Sequence, residues 1–279
     1  MTPPDPHAIA RAAGSSVITT RTVPGGDICR AIRIDLLDMR AVFVKYRDHA
    51  PAGLFASEAE GLRWLSAPGA LRVPRVLAVG DAWLALEWID RGTADADADE
   101  ALGRGLARIH RAGADAFGAP WQGFIGTVAV PNHPRPDWPT FLAECRLIPL
   151  ARAAGLDADC RQLLEAVLAR LPALVGPPEP PARLHGDLWA GNRMTDAAGQ
   201  PVLVDPACYG GHREVDLAMM LMFGGFSERV FAAYHEEYPL QPGWRERVPL
   251  NQLIPLLVHA ALFGGGYVAS VRRALQSLA

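Results

Sequence analysis

Apolar and polar positions alternate along the first ninety residues. Ile32, Ile34 and Leu36 occupy every second place, and Val42 and Val44 do the same ahead of Lys45. That period belongs to half-buried β-strands. Asp38 and Met39 between the two runs suit a turn. Ser57 as an N-cap and an apolar side made by Leu62, Trp64 and Leu65 predict a helix from Ser57 onward. Two further strands, at 76–80 and 83–89, flank the turn-forming pair Gly80 and Asp81. From Thr93 the period changes to three and four, first at Leu102, Leu106 and Ile109 and later at Leu163, Leu164, Val167, Leu168 and Leu171. The change divides the chain into a strand-rich part, 1–90, and a mainly helical part, 91–279. The fold class is α+β and bilobal, with a small N-terminal antiparallel sheet lobe and a larger helical C-terminal lobe.

Composition narrows the function without naming it. The 279 residues are 50% hydrophobic and 20% charged, with a formal net charge of −3. An ordered core is therefore expected, and nucleic acid is not an expected partner, because a polyanion calls for a basic excess. Cys29, Cys145, Cys160 and Cys208 form no metal-ligand spacing and no paired framework, which points to a reducing, cytoplasmic setting. The N-terminal stretch lacks a signal-peptide core, and the longest apolar run, 254–263, contains His259 and is too short for a membrane span. The acidic run from Ala94 to Glu100 reads as compensation of a helix dipole. Nothing in the sequence specifies an oligomeric state.

Candidate chemistry is concentrated after the proline-rich break at 177–181. Leu184-His185-Gly186-Asp187-Leu188-Trp189-Ala190-Gly191-Asn192 forms a polar loop, and the apolar run Val202-Leu203-Val204 follows and ends at Asp205-Pro206. Phosphoryl transfer needs a carboxylate to orient the attacking hydroxyl and an amide with a second carboxylate to hold magnesium against the phosphates. Asp187 is the candidate base, and Asn192 and Asp205 are the candidate metal ligands. Turn-capping by Asp187 and Asn192 is the plainer alternative for the loop alone, but it leaves the register with Asp205 unexplained. The spacing matches the catalytic loop and metal-binding aspartate of the protein-kinase fold.

That match requires a strand lysine and a helical carboxylate upstream. Lys45 supplies the first, and Glu58 or Glu60 the second. Gly25 and Gly26, in Pro24-Gly25-Gly26-Asp27, form either a plain hairpin turn or a loop that approaches phosphates. Glu87, Trp88 and Ile89 end the last strand of the N-terminal part, where a hinge backbone would meet the adenine edge. Cys29 reads as inert packing.

The string His185-Gly186-Asp187-Leu188-Trp189 with Gly191-Asn192 resembles the fructosamine (ketosamine) kinase signature. Gly211 to Met219, Phe223-Gly224-Gly225-Phe226 and Phe263-Gly264-Gly265-Gly266-Tyr267 extend the resemblance, which covers most of the chain. It implies ATP- and Mg²⁺-dependent phosphorylation of a sugar hydroxyl on a ketosamine, either a small molecule or a glycated amine such as a protein lysine. The phosphorylated adduct then falls off, so the outcome is deglycation. The same resemblance implies roles for Trp189 and His259 on the substrate side. Read from the residues alone, Trp189 is either a sugar platform or a buried anchor, and His259 is an ordinary core histidine. His185 and Asp216 read as supports of the loop, with Arg213 and Glu214 as possible companions.

Two other readings remain. An aminoglycoside- or choline-type phosphotransferase would need clustered carboxylates or an aromatic cage in the C-terminal helices, where Glu236 and Glu237 are the adjacent acidic pair. An inactive kinase-fold scaffold would have lost catalytic side chains, and here all five positions are filled.

Overall fold

The computed structural model describes residues 3–24 and 28–279. It opens with helix α1 (Pro6–Ala12), a feature the strand pattern did not announce. Its start is nevertheless encoded locally. The Asp5 carboxylate accepts from the His7 amide, and Pro6 stands in the first turn, where a missing N–H costs nothing. Strands β1 (Val17–Val23), β2 (Arg30–Leu36) and β3 (Ala41–Tyr46), helix α2 (Leu54–Ser66), and strands β4 (Val76–Gly80) and β5 (Trp83–Glu87) follow. The five strands form one antiparallel sheet in the order β1-β2-β3-β5-β4. The alternation seen in the sequence sets its faces. Ile32, Ile34, Val42 and Val44 pack with Ile9 of α1, while Phe43 and Lys45, one residue out of phase, face a cleft.

Two boundaries differ from the sequence pattern. Helix α2 begins at Leu54, not Ser57, because Gly53 adopts the left-handed conformation at φ 84° just before it and buried Leu54 and Phe55 draw the first turn into the core. Ser57 therefore lies inside the helix, and its Oγ donates to the Gln122 carbonyl at 2.7 Å. The last strand ends at Glu87.

The helical part starts with α3 (Ala96–Arg111), which Asp95 caps by accepting from the Ala98 amide at 2.8 Å. Next come the hairpin β6 (Gly123–Ile125) and β7 (Val128–Val130), then α4 (Trp138–Leu142), α5 (Ile148–Ala153) and α6 (Ala158–Leu174). Four short strands, β8 (Ala182–Leu184), β9 (Arg193–Thr195), β10 (Pro201–Leu203) and β11 (Tyr209–Gly211), pair as β8 with β11 and β9 with β10. Helices α7 (Glu214–Phe223), α8 (Glu228–Glu237), α9 (Val248–Phe263) and α10 (Gly266–Leu278) complete the chain. Among the described residues no helix is long and apolar enough to cross a membrane. Leu62 and Leu65 of α2 share a core with Leu102 and Leu106 of α3, Leu217 of α7 and Tyr234 of α8, so the sheet side and the helical side meet across one apolar seam.

The α3–α8 contact is close because Gly103 lacks a side chain. A Cβ there would lie 2.2 Å from the Val230 carbonyl oxygen and 3.0 Å from the Tyr234 amide nitrogen. Alanine favours a helix over glycine by roughly 1 kcal/mol, yet Gly103→Ala is expected to destabilise the protein by about 2 kcal/mol through overpacking. Urea unfolding of the two forms checks the sign.

Candidate active site

Strand β3 points Lys45 inward, and α2 meets it with a carboxylate. The Lys45 ammonium lies 2.8 Å and 2.7 Å from the two Glu58 oxygens and 3.1 Å from Asp205 Oδ1. Glu60, the other sequence candidate, is exposed and pairs with Arg63 at 2.6 Å. The choice between the two follows from α2 geometry: Glu58 projects toward the sheet and Glu60 toward solvent.

Asp187 and Asn192 sit on the loop between β8 and β9. The Asn192 Nδ2 donates to the Asp187 carbonyl at 2.8 Å, to Asp187 Oδ2 at 3.2 Å and to the Asp205 carbonyl at 3.4 Å. That leaves the Asn192 amide oxygen, with the Asp205 carboxylate, as a hard-oxygen donor set of the kind a small divalent cation takes with water and phosphate oxygens. Asp205 adopts φ 54°, a conformation uncommon for a residue with a side chain. Backbone strain of this kind gathers at functional sites.

The site holds more negative than positive charge. Burial pushes the Asp187 carboxyl up to about 7, and the Asp205 carboxylate beside it pushes in the same direction. Burial opposes the Lys45 charge, but Asp205 and Glu58 outweigh it and hold the ammonium well above the ordinary lysine range.

Beneath the loop lies a support that only the three-dimensional structure assembles. Asp216, fully buried in the first turn of α7, accepts from the backbone N–H groups of His185 and Gly186, both at 2.8 Å. His110 of α3 reaches the same carboxylate at 3.1 Å and Tyr234 of α8 at 2.7 Å. Because a carboxylate only accepts, His110 donates through Nε2, and its Nδ1 accepts a hydrogen bond from the Tyr234 hydroxyl. Burial raises the Asp216 carboxyl, but the bonds from His110 and the loop prevail and hold it below the usual carboxylate range. His185 Nε2 donates to the Val204 carbonyl at 3.0 Å, and its Nδ1 accepts from the Asp187 amide at 3.3 Å, so burial keeps this ring neutral. Gly186 has φ 81°, and a Cβ on it would meet the Ala207 carbonyl oxygen at 2.2 Å.

Arg213 and Glu214 brace other places. Arg213 grips Glu179 in the proline-rich segment at 2.7 and 2.6 Å, and Glu214 takes Arg247 at 2.9 and 2.6 Å. Asp99, from the acidic run, pairs with Arg193, the residue after Asn192, at 2.7 Å. His110, Tyr234 and Arg193 carried no signal in the sequence beyond their places in amphipathic or short elements.

One cavity of about 530 Å³ joins these groups to the aromatic residues of the C-terminal helices. Lys45, Glu58, Asp187, Asn192 and Asp205 line it, as do Trp189 and His259. The Trp189 ring lies over Gly191, edge-on to Phe223, and is 42% exposed, so it is not a buried anchor. His259 Nδ1 donates to the Pro255 carbonyl at 2.7 Å. Glu87 is the last residue of β5, an interior strand between β3 and β4, and Trp88 and Ile89 follow it. The Glu87 and Trp88 amides already donate to the Arg75 and Ala41 carbonyls at 2.9 and 3.1 Å. Gly25 and Gly26 lie outside the described residues.

A strand lysine tied to a helical carboxylate, set against a loop of this geometry, defines the class of phosphotransferases with the protein-kinase-like fold. The crystal structure of a choline kinase from Streptococcus pneumoniae shares that fold at a TM-score of 0.65 with 14% identity, over 94% of each chain. Within the class, the chain belongs to the fructosamine kinase family, whose model matches residues 6–279. It is 37% identical over 266 residues to the "Probable ketoamine kinase" of Enterococcus faecium, covering 91% of this chain and 93% of that one. A Thermobifida fusca crystal structure carrying the fructosamine-3-kinase name is similar at a TM-score of 0.91 and 42% identity, over 97% and 96% of the two chains.

Asp216→Asn replaces one accepting oxygen with an amide that confronts a backbone N–H. A loss of about 3 kcal/mol in unfolding free energy is expected at neutral pH. Since the folded carboxyl titrates below its unfolded value, that stability is present above the ordinary aspartate range and is lost as pH falls through the folded value. The gap between wild type and variant in denaturant titrations should therefore narrow in acid.

Proposed function

We propose that the protein phosphorylates a sugar hydroxyl of ketosamines at the expense of ATP, so that the adduct becomes labile and the amine is recovered. The carrying observation is the single cavity in which the Lys45–Glu58 pair, Asp187, Asn192 and Asp205 meet a ring-lined acceptor side. Residues 1–90 act as the nucleotide-binding lobe and 91–279 as the catalytic and substrate lobe. Lys45, ordered by Glu58, steadies the nucleotide phosphates. The backbone near Glu87, Trp88 and Ile89 receives the adenine edge. Asn192 and Asp205 would hold magnesium, which would supply neutralisation of phosphate charge.

In the transfer itself Asp187 accepts a hydrogen bond from the acceptor hydroxyl and takes its proton as the new O–P bond forms. The bond from the terminal phosphorus to the bridging oxygen breaks, and ADP leaves. Asn192 fixes the Asp187 carboxylate from behind, while Trp189 lies against the sugar and the free Nε2 of His259 accepts from a sugar hydroxyl. The four free cysteines suit a reducing cytoplasm. An aminoglycoside acceptor is disfavoured, because Glu236 pairs with Arg104 at 2.7 Å and Glu237 with Arg108 at 3.1 Å on α3.

ADP release with ATP and magnesium is expected on ribulosyl-lysine or fructosyl-lysine, not on kanamycin or choline, and Asp187→Asn should lower it by at least about a hundredfold. Turnover confined to kanamycin or choline would replace the acceptor and leave the phosphotransfer. The base works unprotonated, so at subsaturating magnesium kcat/KM should fall as pH drops through about 7. More magnesium, by neutralising Asp205, should move that limb to lower pH. A limb indifferent to magnesium would argue against the Asp187–Asp205 coupling.

A further inference from the structure

Outside the cleft, one buried charge has no counterpart. Arg146 is 1% exposed. It stands in a π-helical stretch, 143–147, between α4 and α5, a local geometry that gathers at functional places. Burial lowers the pKa of its guanidinium, but an arginine stays charged at neutral pH. Nη1 donates to the Pro131 and Cys145 carbonyls at 2.7 and 2.8 Å, and Nη2 donates to Asn132 Oδ1 at 2.7 Å. All three partners are neutral. The adjacent acid on the chain, Glu144, is taken by Arg135 at 2.6 Å. Among the described residues no carboxylate hydrogen-bonds to Arg146.

A second observation concerns the donors around this guanidinium. Arg146 Nε, Asn132 Nδ2 and the Tyr209 hydroxyl are buried and have no hydrogen-bond partner among the described residues. Both neighbours touch Arg146: Asn132 through the bond just given, and Tyr209 through its ring, whose centroid lies 3.9 Å from the guanidinium carbon. Protein interiors leave few donors unpaired, because each has lost its bond to water. A single buried water answers this set poorly. Water accepts from two donors, but its own hydrogens then need acceptors, and of the three unpaired groups the Tyr209 oxygen alone can accept. An anion accepts from all three and offsets the charge as well.

We propose that Arg146 Nε, Asn132 Nδ2 and the Tyr209 hydroxyl bind a chloride ion beside the catalytic loop. Nη1 and Nη2 are already committed, so the paired edge that a carboxylate or phosphate grips is not available, and a single spherical acceptor matches what is left. The site bears on the loop through Tyr209. A Cβ on Gly186 would lie 3.2 Å from Tyr209 Cε1, and Tyr209 pairs with Leu184 across β8 and β11. Burial raises the pKa of the Tyr209 hydroxyl, Arg146 lowers it and Asp216 raises it, so this one side chain feels both the unpaired cation and the acid that fastens the loop. An ion held there fixes the ring against which the segment carrying Asp187 is packed.

The test compares the intact protein in sodium chloride and in sodium gluconate of equal ionic strength. Chloride is expected to raise the unfolding temperature by about 3 °C, saturating with concentration, and to slow hydrogen exchange from Leu184 to Asp187 about fivefold. Arg146→Met replaces the cation with an apolar chain, a change that buried sites often tolerate, and should abolish both responses. If that variant does not fold, Tyr209→Phe, which keeps the ring and removes one donor, is expected to raise the chloride midpoint about fivefold. Crystals grown with bromide in place of chloride locate the ion directly, through an anomalous peak expected within hydrogen-bond reach of Arg146 Nε. Equal stability in the two salts with no bromide peak beside Arg146 would overturn the site. A peak and a stability shift without the change in exchange would uphold the ion and overturn its hold on the loop.

Discussion

Three carboxylates gathered around one buried ammonium set the terms for the site. Glu58 and Asp205 both lie on Lys45, and the Asp205 carboxylate stands close enough to Asp187 to disfavour its charge. Like charges at this range in a shielded cleft oppose one another strongly unless cations intervene. The Lys45 ammonium, bridging Glu58 and Asp205, offsets part of that charge.

Such a surplus can be held only by a rigid frame. The loop bearing Asp187 is fastened from below by Asp216, whose two oxygens take the amides of His185 and Gly186. Asp216 is in turn steadied by the His110 to Tyr234 relay from α3 and α8. The frame explains the residue choices around it. Gly186 must lack a side chain because the Ala207 carbonyl occupies the place of its Cβ, and Gly103 must lack one so that α3 and α8 can bring His110 and Tyr234 within hydrogen-bond reach. A fully buried acid with several donors forms a network whose parts strengthen one another. The packing of two helices far in sequence from Asp187 thereby becomes part of how that carboxylate is aimed.

The strand-period run ending at Lys45, the loop from His185 to Asn192 and the strand-terminal Asp205 were legible in the sequence because each is a local pattern with a chemical reason. The fold class followed from the change of period near residue 90. What the sequence could not convey was which distant groups close the arrangement. Glu58 and Glu60 differ in the direction each projects from α2: Glu58 shares the face of buried Leu62 and Leu65 and meets Lys45, whereas Glu60 turns to solvent and Arg63. His110 looks like any residue of an amphipathic helix until α7 brings Asp216 to it. Ser57 had the chemistry of a cap but not the position, since burial of Leu54 and Phe55 outweighs a single capping bond. The set of rings on the acceptor side of the cavity was hidden for a related reason. Its members come from the catalytic loop and three helices, and their spacing along the chain means nothing before those helices pack.

The division of labour inside the cavity has a physical logic. A cationic acceptor could be drawn in by another acidic side chain, but a fourth carboxylate near Asp187 would lift its proton affinity further and weaken it as a base at neutral pH. With Glu58 and Asp205 committed to Lys45, and Glu236 and Glu237 turned away to α3, the cleft keeps its negative charge at the phosphate end.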